Sequence, residues 1–493
     1  MSKNKPAASR RLIAALLAAL ALMVSSLPSA SAAPRAAEAA AVRYVAPLGI
    51  DAANDCTLAA APCQTVQRAV EAAQAGDEIR VAAGTYTGSM SEGGMNAVVI
   101  LSKDIAALRG GYATDFSLRN TEVFVTILTA GGAPGKQVLV LWNVDTVVEG
   151  FTLTGGSANC SPSCGGGVRI RGGSPNLTNN HITLNFGQDR AGGIYVDDGA
   201  NPAIVSNVID GNTTSGNGAG IFVQGSNARI TGNQILSNIA DVEGGGIFVD
   251  SNVPALINFN AIGLNRAVNA CCGGGGGIRT IGGPAVVTIA HNDVFSNTVF
   301  GGGGGIYAGS PAIVDSNTVH HNTLQIGGWG GAILVGAVTL PVSVINNVVY
   351  ANHGSAVQAV NAYQVALVNN TIVDTVHVQS DSGTEADGYL IWNDPNYGGP
   401  INLLVQNNIV ANNQNCGLFY HDAGTVTTLN NLLWNNAGDA ANYCEGASAG
   451  PGDLHTPPLF ISAAAADYRL RSDSPARDVG RADQAPNHDA DDF

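Results

Sequence analysis

The chain has 493 residues, 45% of them hydrophobic and 12% charged, with 63 glycines and a formal charge of −15. That apolar share suffices for a core, which excludes a largely disordered chain, and the glycines keep no every-third-residue period, which excludes collagen. Lysine occurs four times, Lys136 being the last, and no Lys/Arg cluster follows residue 11; a phosphate-tracking surface needs one, so nucleic acid is not an expected partner.

The first segment reads as an export signal. Lys3, Lys5, Arg10 and Arg11 precede an apolar run from Leu12 to Val24, and Ala30-Ser31-Ala32 follows as a small-x-small cleavage site. Residues 1–32 are therefore expected to be removed after Ala32. The run of about thirteen residues falls short of the roughly 20 that a spanning helix needs. Removing the four cations takes the formal charge from −15 to −19, and no later segment holds 18 unbroken apolar residues. The expected product is secreted or at the cell surface, without a transmembrane segment. Eight cysteines in an exported chain favour disulfides. Spacing pairs Cys56 with Cys63, Cys160 with Cys164, and Cys416 with Cys444. The adjacent Cys271 and Cys272 leave open a vicinal bridge or two free thiols. Zinc would want C-x-x-C pairs with matching histidines, and there are none.

An internal repeat then dominates. The pattern N-x-aliphatic-x-x-N recurs at Asn180/Asn185, Asn207/Asn212, Asn233/Asn238, Asn260/Asn265, Asn292/Asn297, Asn317/Asn322, Asn347/Asn352, Asn408/Asn413 and Asn431/Asn436, with Asn370/Thr375 as a variant copy. First asparagines are 27, 26, 27, 32, 25, 30, 23, 38 and 23 residues apart. A glycine cluster and a short alternating strand precede most copies, as in Gly193-Ile194-Tyr195-Val196, Gly220-Ile221-Phe222-Val223 and Gly246-Ile247-Phe248-Val249. Strands this short cannot fold alone. Stacked about 4.8 Å apart, each would pair with its copy in the next repeat and bury one shared apolar column. Asparagine suits the bend because it tolerates left-handed backbone angles, and its amide can bond up and down a stacked column. Glycine before the strand allows positive φ. A propeller needs about forty residues per blade, and a leucine-rich repeat has its own consensus.

The N-x-[IV]-x-x-N and GGGIxV alternation resembles the right-handed parallel β-helix repeat of the pectin-lyase-like superfamily. The resemblance implies an all-β fold, a single-stranded right-handed parallel β-helix over residues 79–445. The segment Pro62 to Tyr86 resembles the opening of bacterial exported β-helix proteins. It implies that an amphipathic helix, with Val66, Val70 and Ala73 at helical spacing, caps the open end within a linker and capping segment 33–78. Leu108-Arg109-Gly110-Gly111-Tyr112 is similar to the same surface proteins. Asp467-Tyr468-Arg469-Leu470 and Ser474-Pro475-Ala476 make 446–493 resemble the start of a surface-anchor segment.

Alternation assigns faces. With Ile194 and Val196 inward, one outward row runs Arg169, Tyr195, Phe222, Phe248, Arg279, Tyr307, Leu334, and its neighbour runs Arg171, Asp197, Gln224, Asp250, Ile281, Gly309. Aromatic faces stack on sugar rings, and nearby charges and amides bond hydroxyls or uronates. Arg169, Tyr195, Phe222, Gln224, Phe248, Arg279 and Tyr307 are thus the expected substrate-binding residues, in a groove of the kind the resembling polysaccharide enzymes carry. Asp197 and Asp250, two coils apart, stand about 9–10 Å from each other, at the upper edge of an inverting carboxylate pair; with Arg171 they are the candidate catalytic groups. Asp189, Asp241 and Glu243 are candidate ligands for calcium, which takes six to eight oxygens. The longest repeat interval, Asn370 to Asn408, adds Asp381, Glu385, Asp387, Trp392 and Tyr397 as a second saccharide or calcium candidate, since insertions on regular scaffolds often carry function.

Known signatures of the superfamily's enzymes are absent: there is no Asn-Thr-Asp, Gly-His-Gly or Arg-Ile-Lys. No Lys or Arg stands between Arg279 and Arg469, which leaves a β-eliminating lyase only the Arg169–Arg279 stretch. His320-His321 sits at a repeat turn without a second pair at metal-binding spacing. Three functions follow in order of expectation. The first is a monomeric exported protein that binds polysaccharide or cell-surface glycan, or mediates adhesion. The second is a polysaccharide lyase or glycoside hydrolase on the outward face, and the third a purely structural surface rod.

Overall fold

The structure, a computed structural model, describes residues 40–482 and 486, apart from 160–164, 251, 269–273, 326–329, 337–339, 377–385, 394–400 and 439–440. Cys160, Cys164, Cys271 and Cys272, and the expected signal peptide, lie outside the described residues. One coil shows how the repeat folds. Ile194–Asp197 joins a fourteen-strand front sheet, Ala203–Val205 a fourteen-strand second sheet, Val208–Asp210 a thirteen-strand third sheet, and the two-residue strand Thr213–Thr214 a seven-strand narrow sheet. Each strand pairs in parallel with its copies in the coils before and after, as in Ile194↔Ile221 and Val208↔Gln234. The chain is a parallel β-solenoid whose interior is filled by Ile194, Val196, Ile204, Ile209 and their equivalents, all fully buried.

The asparagines sit inside the corners and stack. In the corner between the second and third sheets, Asn180, Asn207, Asn233, Asn260, Asn292, Asn317, Asn347, Asn370, Asn408 and Asn431 each donate from Nδ2 to the next Oδ1 at 2.9–3.2 Å, ending on Asp453. A second column runs from Asn185 to Asn352 at 3.0 Å. The left-handed residue is not the ladder asparagine but the one before it: Ser206, Ser237, Leu184 and Leu264 have φ between 54° and 59°. The turn therefore accepts even leucine at the strained position, with its side chain in solvent, while asparagine is required for its buried amide.

Glycine is required where coils touch. A Cβ on Gly246 would lie 2.7 Å from the Gly277 carbonyl oxygen and 3.0 Å from the Asn265 amide, so Gly246→Ala is expected to lower stability by about 1–3 kcal/mol in urea unfolding. At the N-terminal end, Val42–Val45 pairs with Glu78–Ala82, and the helix Val66–Ala72 lies over the core with Val66, Ala69 and Val70 buried. Thr65 caps the helix through Arg68 N–H, and Gln67 Oε1 accepts the backbone N–H of Ile100. The cap thus covers and bonds the open end, as edge protection demands. Disulfides join Cys56 to Cys63 and Cys416 to Cys444, with Cα separations of 5.1 and 6.2 Å.

Candidate functional site

Register brings the first outward row together. Arg169, Tyr195, Phe222, Phe248, Arg279, Tyr307 and Leu334 are direct neighbours on adjacent front strands. The row is covered. Tyr195, Phe222 and Phe248 are 0%, 2% and 1% exposed, with ring centroids 5.6 and 4.8 Å apart, and with Ala191 they form a small apolar core outside the coil. The cover is the chain returning from the narrow sheet. A Cβ on Gly218 would lie 2.9 Å from the Cβ atoms of both Phe222 and Phe248, and one on Gly244 would lie 2.8 Å from that of Phe248. The glycines let the backbone settle directly on the rings, so the open sugar-stacking groove expected at Tyr195, Phe222 and Phe248 is absent.

The polar groups of this row pair with the neighbouring row and with the covering turns. Arg169 Nη2 donates to Asp197 Oδ2 at 2.6 Å, and both residues are more than nine-tenths buried. The Arg169 guanidinium also lies over the Tyr195 ring. Arg190, from the covering turn, donates to Tyr195 OH, which donates in turn to Gln224 Oε1 at 2.8 Å. Arg279 rests on the Tyr307 ring, 3.4 Å from its centroid, and faces Glu243 at 3.5 Å. Burial pushes the Glu243 carboxyl up, against the pull of Arg279. Among the described residues, Arg169 Nε, Asp197 Oδ1, and Nε and Nη1 of Arg279 have no hydrogen-bond partner.

The candidate catalytic groups do not converge. Asp197 is held by Arg169, whereas Arg171 pairs with Asp198 at 3.1 Å on the outer edge. Asp250, half-buried, lies two strands from Asp197, beside Gln224 and Ile281. The calcium candidates do not converge either: Asp189 and Asp241 are exposed, Glu243 turns to Arg279, and among the described residues no three His, Cys, Asp or Glu side chains are placed to hold a metal. Of the long-interval candidates, Asp381, Glu385 and Tyr397 lie outside the described residues, and Asp387 and Trp392 belong to the front strand Ala386–Trp392.

Apart from the buried Asp197, the named residues of the second outward row stay half-exposed, and the row is longer than its sequence pattern. It begins at Trp142, whose ring lies 6.0 Å from the Arg171 guanidinium, and it includes Trp392, stacked on His421 at 4.0 Å. Trp142 and His421 end the unbroken apolar runs Val138 to Trp142 and Leu418 to His421, where no alternation marks the outward side. Arg190 has Asn217 as its partner position in the next coil, so the arginine does not recur there. The covering arginine leaves no period to find.

Two family models match. One, "Protein of unknown function (DUF1565)", spans residues 48–299, just over half of the chain. The chain belongs to the DUF1565 family. The second, a right handed beta helix region, spans 219–394 of this DUF1565 chain, and with the stacked parallel strands it makes the protein a right-handed parallel β-helix. No curated protein matches it. Among solved structures, it is similar to the pectate lyase Pel9A at 14% identity, covering 91% of this chain and 93% of that one, with a TM-score of 0.38. It is similar to the PL6 family alginate lyase AlyGC at 15% identity, 86% and 58% coverage and a TM-score of 0.44. A GH136 lacto-N-biosidase from Eubacterium ramulus gives 11%, 73% and 66%, and 0.37. Likeness at this level carries no argument about chemistry. No helix among the described residues is long and apolar enough to cross a membrane.

Proposed function

We propose that this DUF1565 protein is exported, secreted or held at the cell surface, and binds polysaccharide or a cell-surface glycan, mediating adhesion without breaking a bond. The observation that carries this reading is the contrast on the front sheet between outward positions that are covered and outward positions that stay half-open. Asp197, the acid best placed for chemistry, is tied to Arg169 at 2.6 Å beneath the covering turns. Trp142, Arg171, Asp250, Trp392 and His421 remain half-exposed along the same face. Half-open aromatic planes beside charged groups suit sugar rings and their hydroxyls. The two disulfides fit an oxidising, extracellular compartment.

The test is retention on immobilised uronate and neutral polysaccharides, with and without calcium. Trp142→Ala and Trp392→Ala are each expected to weaken retention about tenfold, the effect of losing about 1.4 kcal/mol. Unchanged retention in both variants would remove the second row as the binding surface. New reducing ends or unsaturated ends released from the polymer would replace the adhesion reading with hydrolase or lyase activity.

A further inference from the structure

His320 lies flat between two rings on the third sheet. Its centroid is 5.6 Å from that of Phe295 in the preceding coil and 4.8 Å from that of Tyr350 in the following one, with interplanar angles of 13° and 3°. Both nitrogens are engaged: Nε2 with Asp293 Oδ1 at 2.9 Å, and Nδ1 with His321 Nδ1 at 2.8 Å. His321, in the left-handed turn at φ 53°, sets its edge against His320 and Tyr350. The stack does not end at Tyr350. Tyr468, from the C-terminal hairpin, packs on it at 5.2 Å, meets Phe460 edge-on, and donates to Asp374 Oδ2 at 3.2 Å. Beyond the hairpin the chain returns to the coil corner. There the Asn407 side chain bonds both N–H and carbonyl of Arg481 at 2.9 Å, and Asn430 Nδ2 donates to the Val479 carbonyl.

We propose that the His320–His321 pair is an acid-sensitive latch holding the C-terminal segment 459–482 against the coil. Two Nδ1 atoms at 2.8 Å need one proton between them, one ring donating and the other accepting. With His320 Nε2–H given to Asp293, the acceptor is His320 Nδ1 and the donor is His321. The pair takes up one further proton, on His321, without losing this bond. A second leaves no acceptor and sets two cations against each other, so one ring must turn. His320 is held on both faces; His321, at the corner, is the ring that leaves, and its edge contact with Tyr350 leaves with it.

The titratable groups facing the pair are Asp293 from the preceding coil, Tyr350 from the following one, and His353 near His321. Asp293 offsets part of the added charge. Burial, His320 and His353 hold His321 below the usual imidazole value. A base whose folded value is lowered is protonated first in the released state. The latch is therefore intact above the ordinary imidazole value of about 6.5; protonation of His321 favours release as pH falls below it, and the contact itself is lost with the pair's second proton. Asp374 works in the opposite sense, because burial raises its carboxyl and acid relieves that cost.

The test is amide hydrogen exchange of residues 460–470 in the full chain at pH 7.5 and 5.0, corrected for the intrinsic rate. Protection is expected to fall severalfold at pH 5.0, while the Ile194–Asp197 and Ile221–Gln224 strands are unchanged. His321→Asn, which tolerates the left-handed turn, and His320→Phe, which keeps the stack, should each abolish the difference. Asp374→Asn should retain it. Tyr468→Ala should exchange fast at both pH values. Equal protection at both pH values in the wild type overturns the latch. So does an undiminished loss in both histidine variants, or loosening of the whole coil together.

Discussion

Asn238→Ala is expected to lower the unfolding free energy by about 4 kcal/mol or more, from several buried polar groups losing partners at roughly 1–3 kcal/mol each. Asn238 is fully buried in the second asparagine column. Its Nδ2 donates to Asn265 Oδ1 at 3.0 Å and to the Ile209 carbonyl at 2.9 Å, and its Oδ1 accepts both Nδ2 and N–H of Asn212. Alanine removes all four bonds at a fully buried position. Asn435→Ala, at an exposed corner where the side chain bonds Asn412 and the backbone is left-handed at φ 52°, should stay within about 2 kcal/mol, from solvent-exposed hydrogen bonding and the left-handed angle. Urea unfolding followed by circular dichroism compares the two. Equal effects would mean that the ladder adds nothing beyond ordinary surface hydrogen bonding.

Asp197→Ala is expected to destabilise by about 3–5 kcal/mol, because it leaves the Arg169 guanidinium buried without its counter-charge. The paired replacement Arg169→Met with Asp197→Leu should recover most of that loss, since the desolvation penalty of both charges disappears together. This pattern separates a structural ion pair from a catalytic acid. A catalytic Asp197 would give the opposite result, a single variant of near-wild-type stability that has lost an activity. Thermal and urea unfolding of the two single variants and the double variant decides between them.

The coil was legible because its signals are periodic. Asn207, Asn233 and Asn260 recur at nearly constant spacing since each must meet the next amide at about 3 Å, and a shift of one residue would turn it out of the corner. The alternation Ile194-Tyr195-Val196-Asp197 likewise predicted which residues leave the core. The positive φ was assigned to the wrong residue by one position, because asparagine's general tolerance of left-handed angles concealed that its buried amide was the stronger requirement. The calcium and catalytic candidates failed for a related reason. Asp189, Asp241 and Glu243 share a set of turns, but Glu243 alone folds inward to Arg279, and no period in the sequence marks that choice.

What the sequence by itself determined is the repeat: parallel strands, asparagine corners, glycines before the front strand, a capping helix and two of the disulfides. The strands, corners and glycines depend on neighbours one coil away in identical positions, and the helix and disulfides on short spacings, so local pattern suffices. Only the tertiary structure decided what the outward rows face. Period two sends Tyr195, Phe222 and Phe248 out of the coil, yet it says nothing about what lies above them. The successive turns bearing Arg190, Gly218 and Gly244 descend on those rings and bury them, while Trp142 and Trp392 stay half open. Whether an outward side chain is surface or core depends on the path of a returning loop, and that path is set by contacts across coils rather than by alternation along a strand.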